Sequence, residues 1–286
     1  MRIRATVAAV TGALALSALA VPAAQADGNA SLASMAPGKS KSSKVTPFAA
    51  ASPADEVVGD TQITSVSVNG GKDIVVGVSK KKTFTISVTA TDPSGIYDGY
   101  AQLWHGSDID NVDGVITPDA EWGTCTATGA TTGTCKVTLV ADPNENIYAN
   151  LLAGTWKVWA GAMGNDGDYV ITDAYKTARV QRASTLTVNA APEPVTKGKT
   201  VTVTGKLARA NWDDLAYHGY TGQSVQLQFR KKTSDTYTTL KTIKSDSAGN
   251  LKTTTKATVD GYFRYSFAGT TTTPAVKATG DYVDVR

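Results

Sequence analysis

Residues 84–89 read Phe84-Thr85-Ile86-Ser87-Val88-Thr89, with an apolar side chain at every second position. A period of two sends alternate side chains to opposite faces of an extended chain, so this is a β-strand with one buried and one wetted face. The spacing returns at Cys135, Val137 and Leu139 against Lys136 and Thr138, and at Val201, Val203 and Leu207. It returns again at Val225, Leu227 and Phe229 against Gln226, Gln228 and Arg230. Clusters of Gly, Pro, Asn and Asp cut the chain between these runs, and abundant Thr suits strand faces turned to water. Each one-sided strand needs a facing sheet, which predicts an all-β protein built of sandwiches. Helix is predicted only at 146–152, about two turns, as a corner between strands.

The 286 residues are 41% hydrophobic and 19% charged, which supports real cores and excludes both wholesale disorder and collagen-like repetition. Two His rule out most histidine-rich metal chemistry. Residues 1–26 carry Arg2 and Arg4, an apolar run from 5 to 21, and the small-residue stretch Ala24-Gln25-Ala26. That is the pattern of a secretory signal peptide cleaved before Asp27. Thr11, Gly12 and Ser17 interrupt the run, and no cysteine follows it to take a lipid. The expectation is a secreted, extracellular protein with no membrane anchor. Residues 27–53 are rich in Ala, Ser, Lys and Pro with almost nothing to bury, and are expected to be a disordered arm whose Lys39, Lys41 and Lys44 can meet an anionic wall polymer. A boundary at 182–184 divides the rest into sandwiches of 54–183 and 184–286. The first holds 9 basic and 16 acidic residues, net −7; the second holds 14 and 8, net +6. Such a split can orient the molecule on a charged surface or favour head-to-tail association.

The stretches VTKGKTVTVTGKL (195–207), GYTGQSVQLQFRKK (219–232), DSAGNLKTTT (246–255) and GYFRYSFAGT (261–270) resemble the bacterial immunoglobulin-like modules of secreted actinomycete proteins. In the first half, TATDPSGI (89–96) resembles the B–C turn of such sandwiches, and LLAGTWKVWAGAMGNDGDY (151–169) their E–F to F–G region. The tandem arrangement is similar to an exported family some of whose members are named calcium-binding, and the match covers most of residues 60–286. The resemblance implies two tandem immunoglobulin-like β-sandwiches with an extracellular, non-catalytic habit. Its motifs are turn and core signals, so no site residue carries over from it.

Cys125 and Cys135 are the only cysteines, and in an exported chain they read as a disulfide. Closing that short loop is worth ~2–3 kcal/mol on a chain-entropy account. For metal, SDIDNVDGVITPDAEW (107–122) crowds Asp108, Asp110, Asp113, Asp119 and Glu121 together. The span from Asp108 to Asp119 matches a twelve-residue calcium loop at positions one, three and twelve. It fails at position five, Val112, and puts its glycine, Gly114, at position seven instead of six. Two readings stand, a solvated acidic loop and an irregular calcium site. If 97–105 is strand C, Asp142 and Glu145 of the E–F connection can complete the latter. Asp92, Asp166 and Asp168 form a second acidic candidate at the opposite end, although tight turns also want Asp and Gly.

With Ala101 and Leu103 pointing inward, Tyr100 and Trp104 face outward; with Trp156 and Val158 inward, so does Trp159; and Tyr175 faces outward on strand G. Strands C, F and G share a sheet, so these four rings make either a flat platform for sugars or a protein partner, or a surface covered by core or by the second domain. The insertion RANWDDLAYHGY (209–220) carries Trp212, Asp213, Asp214, Tyr217, His218 and Tyr220. It is either a binding loop or a plug for the open end of its sandwich.

No G-x-S-x-G turn and no H-E-x-x-H pair is present, and His218 beside Asp213 and Asp214 lacks a nucleophile, so no catalytic residue is assigned. A carboxylate-pair hydrolase is the distant alternative. In the basic half Arg230, Lys231, Lys232, Lys241, Lys244, Lys252 and Lys256 offer a patch for an anionic wall polymer, while their modest density and export argue against nucleic acid. The sequence thus predicts a secreted, non-catalytic structural or binding protein, extracellular or loosely wall-associated. Its partner is an anionic cell-wall polymer, a polysaccharide or another extracellular protein. The alternative is a calcium-dependent module; no other cofactor is expected.

Overall fold

The computed structural model describes residues 31–36 and 55–286. The expected signal peptide, and the arm apart from 31–36, lie outside the described residues. Ten strands build the first sandwich: β1 (Glu56–Val58), β2 (Gln62–Val68), β3 (Ile74–Val76), β4 (Lys82–Thr91), β5 (Ile96–Gly106), β6 (Val112–Ile116), β7 (Thr124–Ala127), β8 (Thr132–Ala141), β9 (Gly154–Gly164) and β10 (Tyr169–Arg182). Period-two alternation sorts them. Phe84, Ile86 and Val88 of β4 and Cys135, Val137 and Leu139 of β8 are all buried, and the two strands pair antiparallel with Ile86 opposite Val137. One sheet runs β2-β4-β8-β7; the other runs β1-β10-β9-β5-β6, with β3 parallel to β10. This is immunoglobulin order, A, B, E and D in one sheet against C′, C, F, G and A′ in the other.

The second sandwich follows with β11 (Ser184–Leu186), β12 (Asn189–Ala191), β13 (Thr200–Asn211), β14 (Ala216–Gly219), β15 (Ser224–Lys231), β16 (Thr238–Lys244), β17 (Asn250–Lys256), β18 (Gly261–Phe267), β19 (Val276–Lys277) and β20 (Asp281–Val283). In one sheet β11, β12, β14 and β17 all pair with β13; the other runs β16-β15-β18-β19, with β20 also on β18. Val201, Val203 and Leu207 meet Val225, Leu227, Phe263, Tyr265 and Phe267 between them. Tyr265 donates its hydroxyl to the Val203 carbonyl at 2.8 Å, so the largest polar group of this core is satisfied.

Ala183 alone separates β10 from β11, and the sandwiches share more than that residue. Arg182 Nε donates to the Ala210 carbonyl at 2.6 Å, and Gln181 Nε2 to the Thr270 carbonyl at 3.0 Å. Trp212, in the inserted loop, is buried in the apolar cluster of the first sandwich, its Nε1 donating to the Gly77 carbonyl at 3.1 Å. The loop therefore plugs an open end, but that of the neighbouring sandwich.

Two expectations are corrected here. The helix at 146–152 is one 3-10 turn, Asn150–Leu152, because Asn146 takes up the preceding backbone: it accepts from Asp142 N and donates to the Val140 carbonyl. Within the expected disordered arm, residues 31–36 instead form a helical turn, α1 (Leu32–Met35), with Leu32 and Ala33 fully buried. Overall composition hid a local apolar anchor.

Candidate functional site

The aromatic rings of strands C and F lie on the face the alternation assigns them. Tyr100 sits opposite Gly161, Gln102 opposite Trp159 and Trp104 opposite Lys157 across the β5–β9 pairing. Lys157 Nζ stands 4.2 Å over the Trp104 ring. Tyr100 and Trp159 meet edge to face with centroids 6.2 Å apart. Of the two readings, the exposed platform is not formed and the surface is covered: Tyr100, Trp104 and Trp159 are 0%, 2% and 0% exposed, and Tyr175 is half-buried. Two features supply the roof. β10 bulges between Thr172 and Lys176, and the Asp173 carbonyl there accepts from Trp104 Nε1 at 2.7 Å. The α1 turn packs on β5 and β9. A Cβ built on Gly161 would lie 3.1 Å from Leu32 Cδ2 and 3.3 Å from the Trp159 ring, so the missing side chain at 161 makes the notch that Leu32 fills. Ser31 Oγ donates to Glu121 at 2.9 Å beside it. Burial, then the Asp98 and Glu121 charges, push the Tyr100 hydroxyl up to about 12.

The five acids of the 107–122 stretch do not converge. Asp108 accepts from Ser107 Oγ, Asp110 N and Asn111 Nδ2, the pattern of a self-satisfied turn, and these hydrogen bonds hold its carboxyl below the usual range. Asp113 pairs with His105 Nδ1 at 2.5 Å, and Glu121 is taken by Ser31. The E–F connection does reach this loop, but through Tyr148, whose hydroxyl donates to the Asp113 carbonyl at 2.6 Å. Asp142 and Glu145, expected to complete the site, are engaged instead by Lys81 at 2.8 and 3.6 Å.

The carboxylates that do converge are those of the second candidate. Among the described residues only Asp92, Asp166 and Asp168 place three ligand oxygens within 4.8 Å of one another. The B–C turn supplies the first and the F–G turn the other two. A Cβ on Gly164 would lie 2.5 Å from the Asp92 carboxyl, so glycine permits the approach. Asp92 accepts from Thr61 Oγ1 and Ser94 Oγ, both at 2.5 Å, and Asp168 accepts from Asp60 N at 2.9 Å. Burial pushes Asp92 up, yet the Ser94 and Thr61 hydrogen bonds outweigh it and leave the carboxyl below its ordinary value. Among the described residues no ion pair uses these three acids. Three oxygens suit part of a calcium shell, whose remaining ligands would be water and backbone.

On the second sandwich, sequence reasoning found Arg230 and Lys232 and missed Arg264 and the rings among them. Arg230 pairs across the sheet with Tyr262, Gln228 with Arg264, and Tyr262 with Tyr282. The Arg230 guanidinium lies 3.9 Å from the Tyr262 centroid, Arg264 lies 3.7 Å from Tyr237, and Lys232 Nζ lies 5.3 Å from Tyr282. Tyr262 and Tyr282 stand 5.2 Å apart. Nearby carboxylates are already committed: Asp260 accepts from Tyr282 and Val285 N, Asp281 from Ala190 N, and Asp284 from Arg286. The signal was available, since Tyr262 and Arg264 alternate with the inward Phe263 and Tyr265.

Cys125 and Cys135 are disulfide-bonded, directly opposite each other on β7 and β8. His218 Nε2 pairs with Asp214 at 2.6 Å on the surface, and among the described residues no serine, threonine or cysteine is hydrogen-bonded to it. Among the described residues no helix is long and apolar enough to cross a membrane.

No family model matches the chain, and no curated protein matches it. Among solved structures it is similar to the D00-D0 domain of intimin, at 16% identity over 77% of this chain and 99% of that one, TM-score 0.25. It is also similar to the z1z2 domains of titin in complex with telethonin, at 10% identity over 82% and 98%, TM-score 0.21. The ectodomain of mouse nectin-like molecule 4 is a third, at 14% identity over 81% and 66%, TM-score 0.24. The architecture rests on strand order and register, to which these superpositions add no detail.

Proposed function

We propose that the chain is an exported, non-catalytic binding protein, extracellular or loosely wall-associated, that holds an anionic wall polymer on the outer face of its second sandwich. The carrying observation is the run of stacked cations and rings formed by Arg230, Tyr262, Arg264, Tyr237, Lys232 and Tyr282. Tyrosine faces suit sugar rings, and guanidinium edges suit phosphate or carboxylate groups along the same polymer. Stacking also holds each guanidinium in place, so less side-chain entropy is lost when it binds. The excess of basic residues in this half and the resemblance to exported tandem modules support the same reading. Retention on purified wall polymer tests it: Arg230→Ala/Arg264→Ala should weaken binding about tenfold or more while the melting temperature holds. Binding should also fall with added salt. Undiminished retention of the double variant would overturn the assignment, and a polyol-phosphate polymer compared with a uronate polymer separates the two anion types.

Calcium dependence is the second reading, favoured by the approach of Asp92, Asp166 and Asp168. With free calcium at 100 times its dissociation constant the folded state gains ~2.7 kcal/mol. The melting temperature should then rise in calcium over chelator, and Asp166→Asn/Asp168→Asn should abolish the rise. If Asp108→Asn/Asp110→Asn abolishes it instead, the site is the acidic loop after strand C. No rise in the parent chain removes calcium from the account.

A further inference from the structure

We propose that the groove on the outer face of the first sandwich accepts residues 31–36 from a second copy of this chain, so that two copies can be joined plug to groove. The proposal is independent of the polymer-binding face.

The groove belongs to the sheet and not to the segment that fills it. Tyr100, Trp159 and the notch at Gly161 come from β5 and β9, and Glu121 from the chain leading into β7. The segment adds no strand to either sheet. Its internal structure is one turn, closed by Ser34 N and Ser34 Oγ on the Ser31 carbonyl at 2.9 and 2.7 Å. It is held by anchors, as a peptide ligand is: Leu32 in the notch, Ala33 beside it, and Ser31 Oγ on a carboxylate. Beneath it, Tyr100 Oη and Asp98 Oδ2 have no hydrogen-bond partner among the described residues, although sealed cores pair nearly all such groups.

The chain between plug and sandwich fits exchange. Residues 37–54 separate Ala36 from Asp55, and 18 residues reach at most ~60 Å. That covers the groove of a neighbour in contact as well as the chain's own. Identical segments traded between identical grooves make a closed two-fold dimer, in which neither groove is left empty. Within one molecule the tethered plug has the advantage of high effective concentration, so the unmodified chain stays closed on itself when dilute.

Complementary variants remove that advantage. Leu32→Asp in the full chain spoils the plug and leaves the groove; Gly161→Val blocks the groove and leaves the plug. Each alone should run at monomer mass in light scattering, and an equimolar mixture should give a species of twice that mass. A synthetic peptide of residues 29–38, NASLASMAPG, should dissolve that species, whereas the same peptide with Asp at the Leu32 position should not. A mixture that stays at monomer mass overturns the proposal. So does loss of cooperative melting in Leu32→Asp, since a groove that cannot stand empty is core. Should Gly161→Val fail to fold, tryptophan fluorescence of the Leu32→Asp chain decides: a change with the Leu32 peptide alone supports the site, and no change refutes it.

Discussion

Replacing Trp212 by Ala removes the side chain that roots the second sandwich in the first. The indole is 2% exposed, lies in the first sandwich's core cluster, and donates to the Gly77 carbonyl. An indole buries ~200 Å², equivalent to ~5 kcal/mol at ~25 cal/mol per Å². Measured Trp→Ala losses in cores run about 3–5 kcal/mol. Because the loop after β13 carries the side chain and the other sandwich surrounds it, that energy belongs to docking as much as to either fold. Arg182 to Ala210, Gln181 to Thr270 and Trp212 N to Asn150 still bridge the junction, so the sandwiches stay joined but melt separately. Differential scanning calorimetry should show one transition in the parent chain and two in Trp212→Ala. The lower midpoint should fall roughly 15 °C or more for a loss of this size in domains of about 100 residues. Trp212→Phe, which keeps bulk and loses the indole N–H, should cost about 1 kcal/mol. A single transition in Trp212→Ala, shifted by less than about 5 °C, would refute the shared-core argument.

Cys125→Ser/Cys135→Ser should lower stability by ~2–3 kcal/mol, and in the Trp212→Ala background, where the sandwiches melt separately, the loss should appear in the transition of the first sandwich. A loss in the second sandwich would contradict the placement of the bond. Asp142 governs part of the acid limb. Burial pushes its carboxyl up, but Lys81 and Asn144 together hold it below the ordinary value. A depressed folded pKa means stability that is present above the unfolded value of ~3.9 and lost as pH falls through the folded one. Asp142→Asn should flatten that limb in a pH series of melting temperatures, and an unchanged slope would show that the Lys81 pair contributes nothing there.

The strand framework was legible because each strand announces itself within a few residues: Phe84, Ile86 and Val88 needed no distant partner to be read. Orientation followed too, which is why Tyr100, Trp104 and Trp159 do share the outer face. Their cover was not legible. It comes from Leu32, 68 positions before Tyr100, in a stretch whose Ala, Ser, Lys and Pro content masks one well-placed leucine. The acidic loop at 107–122 failed for the same reason in reverse, while the approach of Asp92 to Asp166 and Asp168 was read from the topology of the turns. Spacing within 107–122 resembled a local loop motif, whereas the carboxylates that meet, Asp92 with Asp166 and Asp168, belong to turns far apart in sequence. For Trp212 the plug reading named the right behaviour and the wrong recipient, since period and composition do not say which sandwich end a ring will enter.

The bond between Cys125 and Cys135 also bears on the order of assembly. Its two residues are ten apart in sequence and lie opposite each other on neighbouring strands of one sheet. Closing so short a loop takes ~10–100 ns and needs only the hairpin of β7 and β8. The pairing of β4 with β8 spans a far longer stretch: Lys82 meets Ala141 and Thr91 meets Thr132. A chain delivered from its N-terminus therefore has a cross-linked hairpin available once residue 136 has emerged, before strands F and G have arrived. β4 can then dock on a fixed template, and a slipped register between β7 and β8, which would turn every side chain to the wrong face, is barred from the outset.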